Sequence, residues 1–202
     1  MTANQPQDVR GIVFKYRSYT PIPFLVAMVV FAQPSMQTLL VGACIALLGE
    51  LFRFWGVAIA GSETRTTGDV GGTYLVTNGP FAFVRNPLYV GNILLYAGAG
   101  VMSNALFPWL LIITILWFYV QYTLIVSKEE EYLAQRFGDA YADYAAKVGR
   151  FFPRVTPYVG PRPPAKSFNI AEGFRSERRT LQAIGIVTLL IVLRYATQGW
   201  AL

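Results

Sequence analysis

Arg85 and the carboxylates Glu129, Glu130 and Glu131 stand at opposite ends of a stretch, residues 86–127, that holds no charged side chain. A stretch of that length can cross a bilayer and return, because one crossing of about 30 Å takes about 20 residues. Such a hairpin brings both polar ends to one face. There a guanidinium and a carboxylate can together hold a zwitterion, such as an amino-acid moiety, by its carboxylate and its ammonium. A solvated helix end is the plainer reading of three consecutive glutamates, but these begin at the membrane boundary and face a hairpin foot that carries Arg85. Pro87 suits a first helical turn, where its missing N–H costs nothing. Gly91, one turn on, lets a backbone or a flat ring approach closely. Glu50 and Arg53 share a face of another apolar stretch, either as a self-neutralising ion pair or with one of them lining a pocket, since ionisable groups inside a membrane usually face a bundle interior or a cavity.

These residues need a membrane scaffold, and the composition supplies one. Of 202 residues, 54% are hydrophobic and 14% charged, against about a quarter charged in soluble domains; the mean hydropathy is +0.41. The expected fold is all-α, a polytopic bundle of about five spans forming a single domain over residues 1–202. The spans fall at 21–32, 36–60, 87–102, 106–126 and 181–196. The first is too short to cross unless it recruits residues 14–19. After the fourth, Tyr132, Leu133, Phe137, Tyr141, Tyr144 and Val148 recur at roughly helical spacing. Pro153, Pro157, Pro161, Pro163 and Pro164 then forbid a continuous helix. The loop at 61–83 holds Gly68, Gly71, Gly72 and Gly79, and Gly98 and Gly100 suit helix packing.

Lys and Arg fall in the N-terminal arm, the loop 61–86 and the segment 127–180, whereas the turns at 33–35 and 103–105 hold none. This alternation puts the charged loops in the cytoplasm. The net charge of +6 is clustered beside apolar spans, a pattern that suits anionic headgroups rather than nucleic acid. Cys44 is the single cysteine and sits in an apolar stretch, which excludes disulfide and thiolate-metal scaffolds within one chain. The absence of histidine removes the commonest metal ligand and the commonest neutral-pH base. No metal site and no cleavable signal peptide are expected.

The stretch Gly79-Pro80, then Val84-Arg85-Asn86-Pro87-Leu88-Tyr89-Val90-Gly91, resembles the G-P-Y-x-x-V-R-H-P-x-Y-x-G signature of the isoprenylcysteine carboxyl methyltransferases and the related phospholipid N-methyltransferases. The second half of that signature is also similar here: Glu129-Glu130, Leu133, Phe137-Gly138, Tyr141, Tyr144, Val148, Arg150 and Pro153. Upstream, Arg53-Phe54-Trp55 is similar to the family's R-x-W. The resemblance covers about residues 47–155 and leaves the last span outside this core. Its clearest departure is Asn86 where the best-known members carry histidine; asparagine hydrogen-bonds but takes no proton at neutral pH.

The resemblance implies an S-adenosylmethionine-dependent methyltransferase with its cofactor-binding cap, residues 61–87 and 127–155, on the cytoplasmic face of a bacterial inner membrane. Arg85, Glu130 and Arg150 are the catalytic candidates that it implies. Arg85, Asn86, Pro87, Tyr89, Gly91, Glu129, Glu130, Tyr141 and Tyr144 are its implied cofactor-binding residues. Glu129 or Glu130 would take the donor's ammonium, Arg85 would face its carboxylate or anchor the cap, and Arg150 would sit near the acceptor. The acceptor is expected to be lipid-like or prenylated and to enter from the inner leaflet. An isoprenylcysteine carboxyl methyltransferase-like activity leads, with a phospholipid N-methyltransferase, a nicotinamide-dependent lipid reductase and a non-enzymatic membrane subunit as alternatives. No G-x-G-x-x-G follows a strand pattern, consistent with a donor site unlike a Rossmann fold.

Overall fold

Proline, serine and glycine divide the apolar sequence into helices. The computed structural model of the chain describes residues 9–61, 74–160 and 168–198. Gly68, Gly71, Gly72, Pro161, Pro163 and Pro164 lie outside the described residues. Among those described there are six α-helices and no strand: α1 (Val9–Tyr16), α2 (Pro21–Val30), α3 (Met36–Ala60), α4 (Pro87–Ser103), α5 (Trp109–Lys147) and α6 (Ile170–Gln198). A 3-10 turn, Gly79–Ala82, precedes α4. Helix α3 starts at a reciprocal cap, in which Thr38 N donates to Ser35 Oγ at 3.2 Å and Ser35 N donates to Thr38 Oγ1 at 2.9 Å. Helix α4 starts on Pro87 and stops where Asn104 takes a left-handed conformation.

Helices α3, α5 and α6 are long and apolar enough to cross a membrane, and the chain is an integral membrane protein. Their exposed side chains include Leu47, Leu48 and Leu51 on α3, Ile113, Leu116 and Val120 on α5, and Ile186, Leu189 and Leu193 on α6. Apolar surface on so many faces suits lipid as the surrounding solvent. Two shorter apolar helices complete the five. Helix α4 has 17 residues. Helix α2 has 10, about 15 Å at 1.5 Å per residue. The first apolar stretch does not recruit residues 14–19, because α1 ends at Tyr16 and Pro21 begins a separate helix.

Two sets of hydrogen bonds establish the topology. At one end, Gln33 N donates to Ser103 O at 2.8 Å, Asn104 Nδ2 to Gln33 O at 3.1 Å and Gln198 Nε2 to Ala32 O at 3.3 Å. At the other, Asn169 N donates to Ala58 O at 2.9 Å and Arg85 N to Gly149 O at 2.9 Å. The turns without basic residues therefore meet at one end of the bundle, and the charged segments meet at the other. Between the ends, Met28, Ala46, Leu95, Ala99, Met102, Val187 and Ile191 form a core that draws on α2, α3, α4 and α6.

The tightest contact is the antiparallel pair α3 and α4. A Cβ built on Gly98 would stand 2.5 Å from Ala46 N and 2.6 Å from Gly42 O; one on Gly49 would stand 2.8 Å from Gly91 O. Glycine on both helices lets the backbones touch, which is how helices associate where lipid weakens the hydrophobic drive. Gly98→Val is expected to force the pair apart and cost about 1–3 kcal/mol or more of stability. Thermal unfolding in detergent would register this as a clearly lowered melting temperature, and an unchanged one would refute the contact.

Two elements differ from the sequence expectation. The fourth span, which starts at Trp109 rather than Leu106, and the amphipathic stretch after it form one long helix, α5, broken at Gly138. Helix α6 begins at Ile170 rather than near Leu181, so part of the polar segment 127–180 is helical and packs on the bundle.

Candidate active site

The cap is built on one backbone reversal. Gly138 has φ 50° and ψ −126°, a region open to glycine and strained for any other residue. The break turns residues 139–147 so that Tyr141 and Tyr144 pack with Ala82, Val148 and Tyr158 in a second core. Hydrogen bonds sew this core to the turn before α4. Tyr144 Oη donates to Phe81 O at 2.7 Å, Arg154 N to Phe83 O at 2.9 Å and Tyr158 N to Ala82 O at 2.8 Å. Tyr158 Oη also donates to Asp143 Oδ2 at 2.8 Å. Hydrogen bonds from Lys147 and Tyr158 hold the Asp143 carboxyl below the usual carboxylate range.

The two feet of the hairpin meet at Glu130. Arg85 Nη2 lies 3.0 Å from Glu130 Oε1, and Arg150 reaches the same carboxylate through both Nε and Nη2. Arg85 Nη1 also donates to Ala145 O at 2.6 Å, and Asn86 Nδ2 donates to Arg150 O at 3.1 Å. Two guanidiniums thus occupy both oxygens of Glu130. Its neighbour Glu129 accepts one hydrogen bond at 2.7 Å from Tyr89 Oη. Glu131 points elsewhere and pairs with Arg10 at 3.0 Å on an exposed surface, an arrangement worth about 0–1 kcal/mol.

A cavity of about 300 Å³ opens between cap and bundle. At the cap end Arg85, Asn86, Glu129, Glu130, Tyr141 and Tyr144 line it, and Pro87 and Tyr89 continue the wall. Two expected site residues lie elsewhere. Gly91 is buried in the α3–α4 contact, against Gly49 O and the Arg53 side chain. Arg150 sits behind Glu130 and is not among the cavity-lining residues.

At its other end the cavity is lined by Arg53, one of the two residues for which the sequence offered a pocket-lining role, together with Asn92 and Glu177, which were not singled out from the sequence. Arg53 Nη2 donates to Glu177 Oε2 at 2.7 Å and to Thr180 Oγ1 at 3.3 Å, and Arg53 Nη1 donates to Asn92 Oδ1. Glu50 Oε2, the partner expected for Arg53, stands at 3.9 Å from its Nε. Glu177 is wholly buried. The signal for it was a helix face: Glu177, Ile184 and Ile191 recur every seven residues, and Ile191 is wholly buried too.

The titration of the cap tyrosines limits the chemistry. Burial, followed by the Glu130 charge, pushes the Tyr141 phenol up to about 12. Burial also raises Tyr144. Both therefore stay protonated at neutral pH and can donate hydrogen bonds but not act as bases.

Comparison with known proteins follows the same core. The phospholipid methyltransferase family model matches residues 37–140. The cobalt-zinc-cadmium resistance protein CzcN of Cupriavidus metallidurans is 32% identical over 131 residues, 64% of this chain and 55% of that protein. The protein-S-isoprenylcysteine O-methyltransferase of Schizosaccharomyces pombe is 35% identical over 81 residues, 40% of this chain and 34% of that enzyme. The enzyme of the same name from Tribolium castaneum is 29% identical over 124 residues, 58% of this chain and 42% of that enzyme. The chain thus spans about half or less of the length of these curated relatives, and no solved structure matches it. With α3, α4 and most of α5 inside the matched segment, and both halves of the motif pair joined at Glu130, the chain belongs to the phospholipid methyltransferase family.

Proposed function

We propose that this chain is a membrane methyltransferase that takes its methyl group from S-adenosylmethionine and passes it to an amphiphilic acceptor, in the manner of the isoprenylcysteine carboxyl methyltransferases. The observation that carries this reading is the Arg85–Glu130–Arg150 clamp, which holds the cavity's cap end with Glu129 on the wall. The donor fits these residues. A cavity of about 300 Å³ lies at the lower end of the small-molecule range of roughly 300–1,000 Å³. It offers Glu129 for an ammonium, and Arg85 and Asn86 for a carboxylate or hydroxyls. Tyr141, Tyr144 and Leu133 offer apolar faces for a nucleoside.

When bound, S-adenosylmethionine supplies a methyl group on a sulfonium, and transfer to an ionised carboxylate asks for alignment and exclusion of water rather than for acid or base. The chain's own residues serve that need. Glu130 draws the two sides of the cap together, Tyr89 orients Glu129, and the tyrosine core closes the cap over the cavity. The reading places the site on the cytoplasmic side of a bacterial inner membrane, supported by the basic segments gathered at the cap end, with the acceptor entering from the inner leaflet. The positions Ser62 and Ser167, natural choices for cysteine labelling of that side, lie outside the described residues.

Titration calorimetry on protein in nanodiscs should show saturable binding of S-adenosylmethionine or its demethylated product. Folded protein that binds neither would defeat the reading. A second expectation concerns pH. A free carboxyl titrates near 4, so an acceptor carboxylate is ionised throughout pH 6–8 and turnover should be nearly flat there, with Asn86→His leaving the rate within a few-fold. A steep rise with pH together with a large gain from Asn86→His would favour an amine acceptor.

A further inference from the structure

The chain leaves the cap through a segment whose outer side chains are apolar and uncovered. Residues 151–160 include Phe151, Phe152, Val155, Tyr158 and Val159, and Arg154 is the one charged side chain among them. The inner edge of the segment is pinned. Arg154 N donates to Phe83 O, Tyr158 N donates to Ala82 O, and Tyr158 is buried in the cap core. The outer edge is bare: Phe152 is 79% exposed, Val155 96% and Val159 86%. A backbone held in this way gives those side chains no path inward, and large apolar groups kept side by side in water are unfavourable.

We propose that residues 151–159 are immersed in the headgroup interface of the cap-side leaflet, where lipid covers Phe152, Val155 and Val159. Depth is the first support. Phe151 packs on Tyr119 of α5 with ring centroids 5.7 Å apart. Tyr119 belongs to the uncharged part of that membrane-crossing helix, about 15 Å before Glu129 at about 1.5 Å per residue. Tyr119 is exposed, as are Leu116 and Val120 beside it. Phe151 therefore meets α5 on its lipid-facing stripe, and the segment continues that surface. Backbone chemistry is the second support. Pro153 and Pro157 have no N–H to desolvate, and the donors that follow them, Arg154 N and Tyr158 N, are already bonded. This lowers the cost of leaving water. The polar side chains are answered too: the Arg154 guanidinium donates to Lys147 O and Thr156 Oγ1, and Tyr158 Oη donates to Asp143. An apolar edge on a polar body suits interfacial depth rather than the acyl core. The immersion does not depend on methyl transfer, but it would seat the Arg150 side of the cap on the leaflet.

The test reads depth at single sites in the full chain, reconstituted in phosphatidylcholine nanodiscs with Cys44→Ala as background. Phe152→Cys and Val155→Cys would each carry a nitroxide, with Val120→Cys on α5 as the lipid reference and Glu131→Cys as the water reference. At both segment sites collision with oxygen should exceed collision with a water-soluble nickel chelate, as at the lipid reference. At the water reference nickel should prevail. A nitroxide is itself apolar, so the unlabelled thiols provide a second measurement. A charged maleimide should alkylate each segment thiol about tenfold or more slowly than the Glu131→Cys thiol, because a low-polarity setting disfavours the reactive thiolate. Nickel contact like that of the water reference would place the segment in water and overturn the proposal. Fast alkylation overturns it whatever the nitroxide reports. Protection from oxygen and nickel alike overturns it too, because protein then covers the segment, and dipolar broadening between labels would identify that protein as a second copy. If Phe152→Cys fails to fold, Val155→Cys, whose side chain is almost wholly exposed, decides alone.

Discussion

Glu130→Gln is expected to open the cap and lower donor affinity by about 100-fold. The substitution leaves Arg85 and Arg150 facing one another with no anion between them, and Arg85 and Glu130 are only 14% and 15% exposed. Hydrogen bonds to charged groups contribute about 1.5–3 kcal/mol each, and breaking a fully buried pair costs about 3–5 kcal/mol. Partial exposure brings the expected loss to about 3 kcal/mol, and each 1.4 kcal/mol is tenfold in affinity. Limited proteolysis should cut the 148–160 segment faster, and calorimetry should register the weaker donor. A variant with wild-type proteolysis and wild-type affinity would mean that the clamp holds nothing.

Glu129→Gln should weaken the donor by a similar amount through a different route. This carboxylate stands on the cavity wall, where it accepts a hydrogen bond from Tyr89 and shares the lining with the Arg17 guanidinium. Removing its charge should cost about 1.5–3 kcal/mol of donor affinity, while thermal stability and proteolysis stay close to wild type. Glu131→Gln provides the control. Its exposed pair with Arg10 predicts a change within about 1 kcal/mol in either measurement. Three adjacent glutamates should thus separate into a clamp, a ligand and a surface pair. Neutrality of Glu129→Gln in a folded protein would remove the ammonium site from the cap.

Much of this was legible in the chain itself. The uncharged run between Arg85 and Lys128 required a hairpin, because only a return crossing brings both of its ends out of lipid on one side. The meeting of Arg85 with Glu130 followed from that geometry. The basic segments marked one end of the bundle, and the fivefold helical pattern matched α2 to α6 in order. Local pattern could reach these features because hydropathy and charge act residue by residue against a slab of known thickness.

Tertiary structure decided what each polar residue does. Glu129 and Glu130 are neighbours of the same type, and only the direction of each side chain on α5 sends one to two arginines and the other to Tyr89. Gly91 belongs to a motif of site residues, yet its missing Cβ serves the approach of α3. Arg53 has Glu50 one turn away on the same helix, but its close partner is Glu177 from α6, more than a hundred residues later. Spacing along a helix says which side chains could meet. Which pair forms depends on how distant helices pack, and here that is governed by glycine contacts between α3 and α4 and by the seating of α6 across them.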